Sequence, residues 1–235
     1  MLPLAILAGG YATRLGELTR DIPKCLIQIN GRPFIEWQMD LLVENGFSDF
    51  ILCISYKSEM VQNYLGDGSR WGARIRYSID GETQLGTGGA IRKALPLLGN
   101  AFGVIYGDSY LPIDYLGVEL EFLNSKNQGM MTIFKNQNQF DASNVEFRDS
   151  KVISYEKGLE DKRMHYIDYG LTYFREEAFL LRTNEASFDL SSVCHELAKD
   201  GKLDGFEVFE RFYEIGSVTG IEDFSKYLGR VSNDL

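Results

Sequence analysis

The sequence is poor in the residues that carry most side-chain catalysis and most covalent stapling. Of 235 residues, three are cysteine (Cys25, Cys53, Cys194) and two are histidine (His165, His195). An odd, widely spaced cysteine set without a CxxC pair argues against a disulfide framework and against a structural zinc site. Reduced, packed thiols in a cytoplasmic protein are the expectation. The two histidines are expected to satisfy local hydrogen bonds rather than to catalyse. Only five prolines occur, and no Pro- or Ser-rich linker or internal repeat divides the chain. Long apolar runs are missing as well. The N-terminal MLPLAILAGG has no basic flank and its apolar stretch stops at Gly9, too short for a signal segment or a membrane span. Basic charge is in deficit, with 24 Lys and Arg against 34 Asp and Glu and a formal net charge of −10. That surface repels a phosphate backbone, so neither nucleic acid nor a membrane is expected as partner. A small phosphorylated ligand stays open, because it feels only the local field of its pocket.

What remains is ordinary globular material, 44% hydrophobic and 25% charged. Residues 2–8 form a short apolar run closed by Gly9-Gly10, the pattern of a strand buried on both faces. A helical period follows over 33–44, with Phe34, Trp37, Leu41 and Leu42 on its apolar side and Gly46 as its stop. Strand-like runs at 49–56, 73–79 and 102–106 alternate with helical stretches at 58–65 and 87–98. Ser58 is the expected N-cap of the first, and Pro96 limits the second. Such alternation predicts βαβ units and an α/β, Rossmann-like, doubly wound and mostly parallel sheet. After about residue 128 the rhythm changes to strands at 130–134, 144–147, 151–156, 166–174 and 206–213. Helices return at 176–181, 190–199 and 221–228. One domain over 1–235 is expected, its second half adding mixed strands. Trp37 and Trp71 read as packing residues.

In a parallel sheet the ligand sits beyond the carboxyl ends of the strands, so the first strand delivers its loop to the site. That loop runs Leu7-Ala8-Gly9-Gly10-Tyr11-Ala12-Thr13-Arg14-Leu15 and continues to Pro23-Lys24. Adjacent glycines let backbone N–H groups approach an anion, and Arg14 and Lys24 add two cations. A polyanion such as a nucleoside triphosphate suits it. The segment is neither GxxxxGK[ST] nor GxGxxG, which argues against a P-loop enzyme and against a dinucleotide-dependent oxidoreductase.

The run GGYATRLGELTRDIPK resembles the signature of sugar-1-phosphate nucleotidyltransferases. YLGDGSRWGARIRYSIDGETQLGTGGAIRKALPLLG is similar to the corresponding stretch in heptose 1-phosphate guanylyltransferases and N-acetylmuramate 1-phosphate uridylyltransferases. YGDS, SYEK, YIDYGLTYF and FYEIGS follow in family order, so the likeness covers about residues 2–228. It implies a Rossmann-like fold, a divalent metal, normally Mg2+, and transfer of a nucleoside monophosphate to a sugar 1-phosphate with release of pyrophosphate. It also implies roles. Leu7 and Ala8 lead into a nucleotide-cradling loop of Gly9, Gly10 and Thr13, with Arg14 on the β- and γ-phosphates and Lys24 on the α-phosphate. Gln84, Gly88 and Gly89 match the nucleobase contacts, and Asp108 the metal-binding aspartate. Lys157 matches the lysine that holds the acceptor phosphate. Glu214 stands where most members carry an aspartate as second metal ligand, which leaves its role open. Asp168, Tyr169 and Gly170 replace the usual NAG-type pattern at the acceptor pocket, which leaves room for an acceptor that is not a hexose.

The chemistry needs no general base, since a phosphate monoester is already ionised near neutral pH. It needs charge neutralisation and in-line placement of two polyanions. A regulatory homologue without turnover would be expected to lack one of Arg14, Lys24 and Asp108, and all three are present. A non-sugar phosphorylated acceptor stays open. The 1–110 half is expected to bind nucleotide, with GTP ahead of UTP and CTP, and the 111–235 half to bind acceptor. A monomer or small homo-oligomer with a single activity is expected.

Overall fold

The computed structural model describes residues 1–10, 21–81, 83–158, 162–180 and 186–231; Thr13 and Arg14 lie outside the described residues. The strands are β1 (Leu4–Leu7), β2 (Gln28–Ile29), β3 (Arg32–Pro33), β4 (Asp49–Ile54), β5 (Arg74–Ile79), β6 (Ala101–Tyr106), β7 (Ser109–Tyr110), β8 (Gly129–Phe134), β9 (Val145–Arg148), β10 (Lys151–Tyr155), β11 (Ile167–Arg175), β12 (Leu203–Val208) and β13 (Tyr213–Glu214). Among the described residues seven α-helices join them. These are α1 (Phe34–Glu44), α2 (Ser58–Leu65), α3 (Gly86–Leu98), α4 (Tyr115–Asn124), α5 (Glu177–Leu180), α6 (Leu190–Lys199) and α7 (Val218–Val231).

Nine strands make one sheet in the order β5-β4-β1-β6-β11-β8-β12-β10-β9. The β5-β4-β1-β6 portion is wholly parallel. β11 then enters antiparallel to both β6 and β8, and the β10-β9 edge is antiparallel too. The fold is the α/β architecture expected, parallel first and mixed after. β1 shows why its sequence is apolar throughout. Leu4 and Ile6 pack into one core with α1, α2 and α4, while Ala5 faces the opposite core with α3, α5 and α6. Helices therefore cover both faces, and a polar residue on either face of β1 would be buried. Among the described residues no helix is long and apolar enough to cross a membrane.

Three local expectations change. Ser58 is the first residue of α2, and Lys57, at φ 50°, takes the N-cap position without a side-chain cap. The run 206–213 is not one strand: β12 stops at Val208, and β13 is a separate two-residue strand paired with β7. Helix α4 has no counterpart in the periodicity. Its sequence YLGVELEFLN is apolar on both sides, with Leu116, Leu120 and Leu123 exposed and Tyr115, Val118 and Phe122 buried. No single stripe stands out, although Asp114 caps it by accepting the Gly117 N–H at 3.0 Å.

A third, smaller core fixes the far rim. Ile27, Ile29 and Phe34 near the β2–β3 hairpin pack against Ile215, Phe224 and Leu228. Phe224 is fully buried, worth roughly 1.5–3 kcal/mol. Tyr213 stacks on Tyr227 with centroids 4.3 Å apart. Helix α7 thereby clamps the β7–β13 ribbon to the sheet.

Candidate functional site

Two cavities open beyond the carboxyl ends of the parallel strands, and they share Tyr106 and Asp108. The first, of about 430 Å³, is lined by Leu7, Ala8, Gly9 and Gly10 from the exit of β1, by Lys24, and by Gln84, Gly86 and Thr87 at the start of α3. The Gly9 carbonyl accepts the Ser55 hydroxyl at 2.5 Å, which ties the loop to the exit of β4. Among the described residues nothing lies within 4 Å of where a Cβ on Gly10 would stand. Gly88 and Gly89 lie elsewhere. Their N–H groups both donate to the Phe188 carbonyl, and any side chain on Gly88 would collide with the Phe188 ring. They seat α3 on the 186–189 segment, and Gly86 and Thr87 take the cavity wall instead.

At the junction of the cavities, Lys24 Nζ donates to Asp108 Oδ2 at 2.5 Å. β7 and β13 pair Ser109 with Glu214, and the Ile215 N–H donates to the Asp108 carbonyl at 3.0 Å. Two carboxylates predicted from distant motifs are thus brought to adjacent positions of one ribbon. Glu214 Oε2 accepts the Gly216 N–H at 2.8 Å. A Cβ on Gly216 would press on that oxygen and lie 3.1 Å from Lys24 Nζ, so the glycine lets both side chains keep these positions. The remaining oxygens are barely engaged, with Ser109 Oγ 3.5 Å from Asp108 Oδ1 and Ser217 Oγ 3.5 Å from Glu214 Oε1. Two hard oxygens on a rim, each with lone pairs to spare, fit a divalent cation that completes its shell with water and phosphate. Among the described residues no group of three His, Cys, Asp or Glu side chains forms a fuller cage.

Sequence reasoning missed Gln38. It lies fully buried on α1, in the apolar stripe with Phe34 and Leu42, and its Nε2 donates to the carbonyls of Tyr106 and Ser109 at 2.9 and 2.6 Å. One amide thus grips both sides of Gly107-Asp108. A polar residue at a core position of a helix was the available signal.

The second cavity, of about 490 Å³, is lined by Lys157, Asp168, Tyr169 and Gly170, as the motifs suggest, and by residues they do not mark: Asp141, Arg211 and Asp223. β11 leaves its ladder with β8 between Asp168 and Thr172, and Gly170 takes φ 113° there. Asp168 itself still pairs with Ile133, and the register shifts before Thr172 pairs with Met131, an irregularity of the kind common beside sites. The Asp168 carboxylate accepts the Tyr155 hydroxyl and the Gly170 N–H, both at 3.0 Å. Tyr169 is 2% exposed, and among the described residues its hydroxyl has no hydrogen-bond partner. Lys157 Nζ lies over the Tyr106 ring, 5.4 Å from its centroid.

The thiols contribute no reactive group, and neither histidine lines either cavity. Burial pushes the thiols of Cys25 and Cys53 up to about 12 and raises that of Cys194 as well, so all three are protonated and inert. His195 Nδ1 sits 3.2 Å from the Tyr155 carbonyl and 2.9 Å from Glu156 Oε1.

The family model described as Nucleotidyl transferase matches residues 4–229. The D-glycero-alpha-D-manno-heptose 1-phosphate guanylyltransferase of Campylobacter jejuni is 33% identical over 214 residues, covering 90% of this chain and 93% of that protein. The N-acetylmuramate alpha-1-phosphate uridylyltransferase of Neisseria meningitidis is 38% identical over 111 residues, 47% of this chain and 48% of its own. The solved inositol-1-phosphate CTP transferase from T. maritima superposes with a TM-score of 0.82 at 20% identity, covering 98% of this chain and 96% of that one, a likeness of fold. With the match running from the first residue of β1 almost to the end of α7, the chain belongs to the nucleotidyl transferase family.

Proposed function

We propose that this enzyme transfers a nucleoside monophosphate from a nucleoside triphosphate to a sugar 1-phosphate, releasing pyrophosphate and giving a nucleotide-activated sugar for cell-surface glycan synthesis in the cytoplasm. The observation that carries the reading is the pair of cavities meeting at Asp108, with Lys24 at the seam. The triphosphate lies along the 7–10 loop with its base against Gln84, and the acceptor fills the second cavity. Lys157 holds the acceptor phosphate, whose oxygen attacks the α-phosphorus without a base. Lys24 neutralises charge that builds on the α-phosphate, and Arg14 the leaving pyrophosphate. Asp108 and Glu214 would hold a magnesium ion, which when bound offsets the charge of the triphosphate. The 1–110 half supplies the nucleotide side and the 111–235 half the acceptor side.

GTP is the expected donor, because the heptose guanylyltransferase of Campylobacter jejuni is 33% identical over 90% of this chain and 93% of its own length. The deciding experiment incubates the protein and magnesium with each nucleoside triphosphate and a panel of sugar 1-phosphates and non-sugar phosphate monoesters, and follows pyrophosphate. At least a tenfold preference for GTP is expected. No acceptor-dependent release with any sugar 1-phosphate overturns the reading. Faster release with UTP or CTP reassigns the base.

A further inference from the structure

Resting on that reading, we propose that the acceptor bears one acidic group, its anomeric phosphate, on a neutral hydroxyl-rich body, and that the second cavity rejects acceptors carrying another anion. The charges on the wall are the ground for this. Among the described residues that line it, five are acidic (Asp108, Asp141, Asp168, Glu214 and Asp223) and two are basic (Lys157 and Arg211), and of the acidic ones Asp108 is already held by Lys24.

The two cations are not equivalent. Arg211 Nη2 donates to Asp223 Oδ2 at 2.7 Å, and the guanidinium lies over the rings of Phe140 and Tyr213, 4.2 and 5.1 Å from their centroids. Its charge is matched and its plane is occupied. Lys157 has no carboxylate partner among the described residues, and it stands over Tyr106 at the seam where the transferred phosphorus must arrive. Among the described residues it is the one cation of this cavity's lining left without a carboxylate, and it serves one phosphate.

The wall also offers acceptors. Among the described residues neither Asp141 nor Asp168 is ion-paired, and their carboxylates accept from the Ala142 N–H, the Gly170 N–H and the Tyr155 hydroxyl. Sugar hydroxyls supply the donors that such carboxylates want, and a second carboxylate or phosphate supplies repulsion instead. The remaining wall is aromatic. Phe212 meets Phe140 and Tyr169 edge-on, with centroids 6.0 and 5.7 Å apart, an apolar face for the C–H side of a sugar ring. Of the acceptors named in the two relatives, a heptose carries hydroxyls alone, whereas muramate carries a carboxylate. The charges on this wall favour the former.

The test compares glucose 1-phosphate with glucuronic acid 1-phosphate, which differ by one carboxylate, under the preferred triphosphate. Where neither reacts, the two are compared as inhibitors of the best sugar 1-phosphate found. The neutral compound is expected to be favoured at least about tenfold, the equivalent of about 1.4 kcal/mol. Asp223→Asn, which leaves Arg211 uncompensated, is expected to shrink that preference at least about threefold, and Asp141→Asn to shrink it too. Equal or better use of the uronate by the unaltered enzyme overturns the proposal. So does a preference that neither substitution moves. Absence of turnover with every sugar 1-phosphate is a different result, and it overturns the transferase reading itself.

Discussion

The two cavities meet at one aspartate and are walled by different means. The first draws largely on strand exits and a helix start, residues 7–10, Gly86 and Thr87, with Lys24, Gln84 and Asp189 beside them. The second draws its charged and aromatic lining from separated stretches of the chain, Phe140 and Asp141, Lys157, Asp168 and Tyr169, Arg211 to Tyr213, and Asp223. A backbone wall suits a ligand part that is the same in every turnover, a triphosphate. A side-chain wall suits the part that differs between relatives, the acceptor. The seam carries what both halves need.

If that division is right, damage at the seam falls on every substrate pair alike. Asp108→Asn is expected to cut turnover at least about 10³-fold and Lys24→Ala about 10²–10³-fold, the size of losing one charge-stabilising group; Arg14→Ala, in the role proposed for it on the leaving pyrophosphate, is expected to cost as much. The loss should be the same whichever base or acceptor is supplied, read as pyrophosphate release across the screen. A loss confined to one acceptor would assign the residue to the second wall instead. Near-normal rates in Lys24→Ala would remove it from the chemistry altogether.

The same contrast explains what could be read from the sequence. The β1 exit, Lys24 and Asp108 sit in contiguous motifs whose geometry follows from a strand, a tight turn and a short reach, so position in sequence already implies position in space. Glu214 was marked by its motif, but the route to it was not: the sheet does not deliver it, and β13 exists only because β7 lies there to pair with it. Gln38 broke the apolar stripe of 33–44 without showing what it would hold. Asp141, Arg211 and Asp223 had no local signal at all. They come together only when α7 packs on the hairpin and the 139–144 loop folds over Phe134, which are long-range events. Helix α4 escaped for the opposite reason, having too many apolar residues to show a period.

Gln38 offers a subtler break of the seam. Gln38→Met keeps the length and removes both donors, leaving the Tyr106 and Ser109 carbonyls without that amide. Turnover is expected to fall about tenfold, with a larger magnesium requirement, because Asp108 loses its grip rather than its charge. A magnesium titration beside a melting curve separates the cases. If the melting temperature falls while the magnesium dependence stays unchanged, Gln38 is a packing residue only.

The smallest expected effect lies far from both walls and should leave activity alone. Asp49 opens β4 beside β5, where its carboxylate accepts from Arg74 at 2.8 Å and Arg76 at 2.9 Å. Burial pushes its carboxyl up, but the hydrogen bonds from the two guanidiniums outweigh that and hold it below the ordinary 3.8. The unfolded chain therefore binds this proton more tightly, so the stabilisation is complete above about pH 4 and is lost as pH falls through the folded value. Asp49→Asn is expected to cost about 1–2 kcal/mol at pH 7, or roughly 2–6 °C in melting temperature. The gap to the unaltered protein should close as the pH drops below about 4, while pyrophosphate release at pH 7 stays unchanged. A gap of constant size down to acid pH would mean that shape, not charge, joins β4 to β5 there.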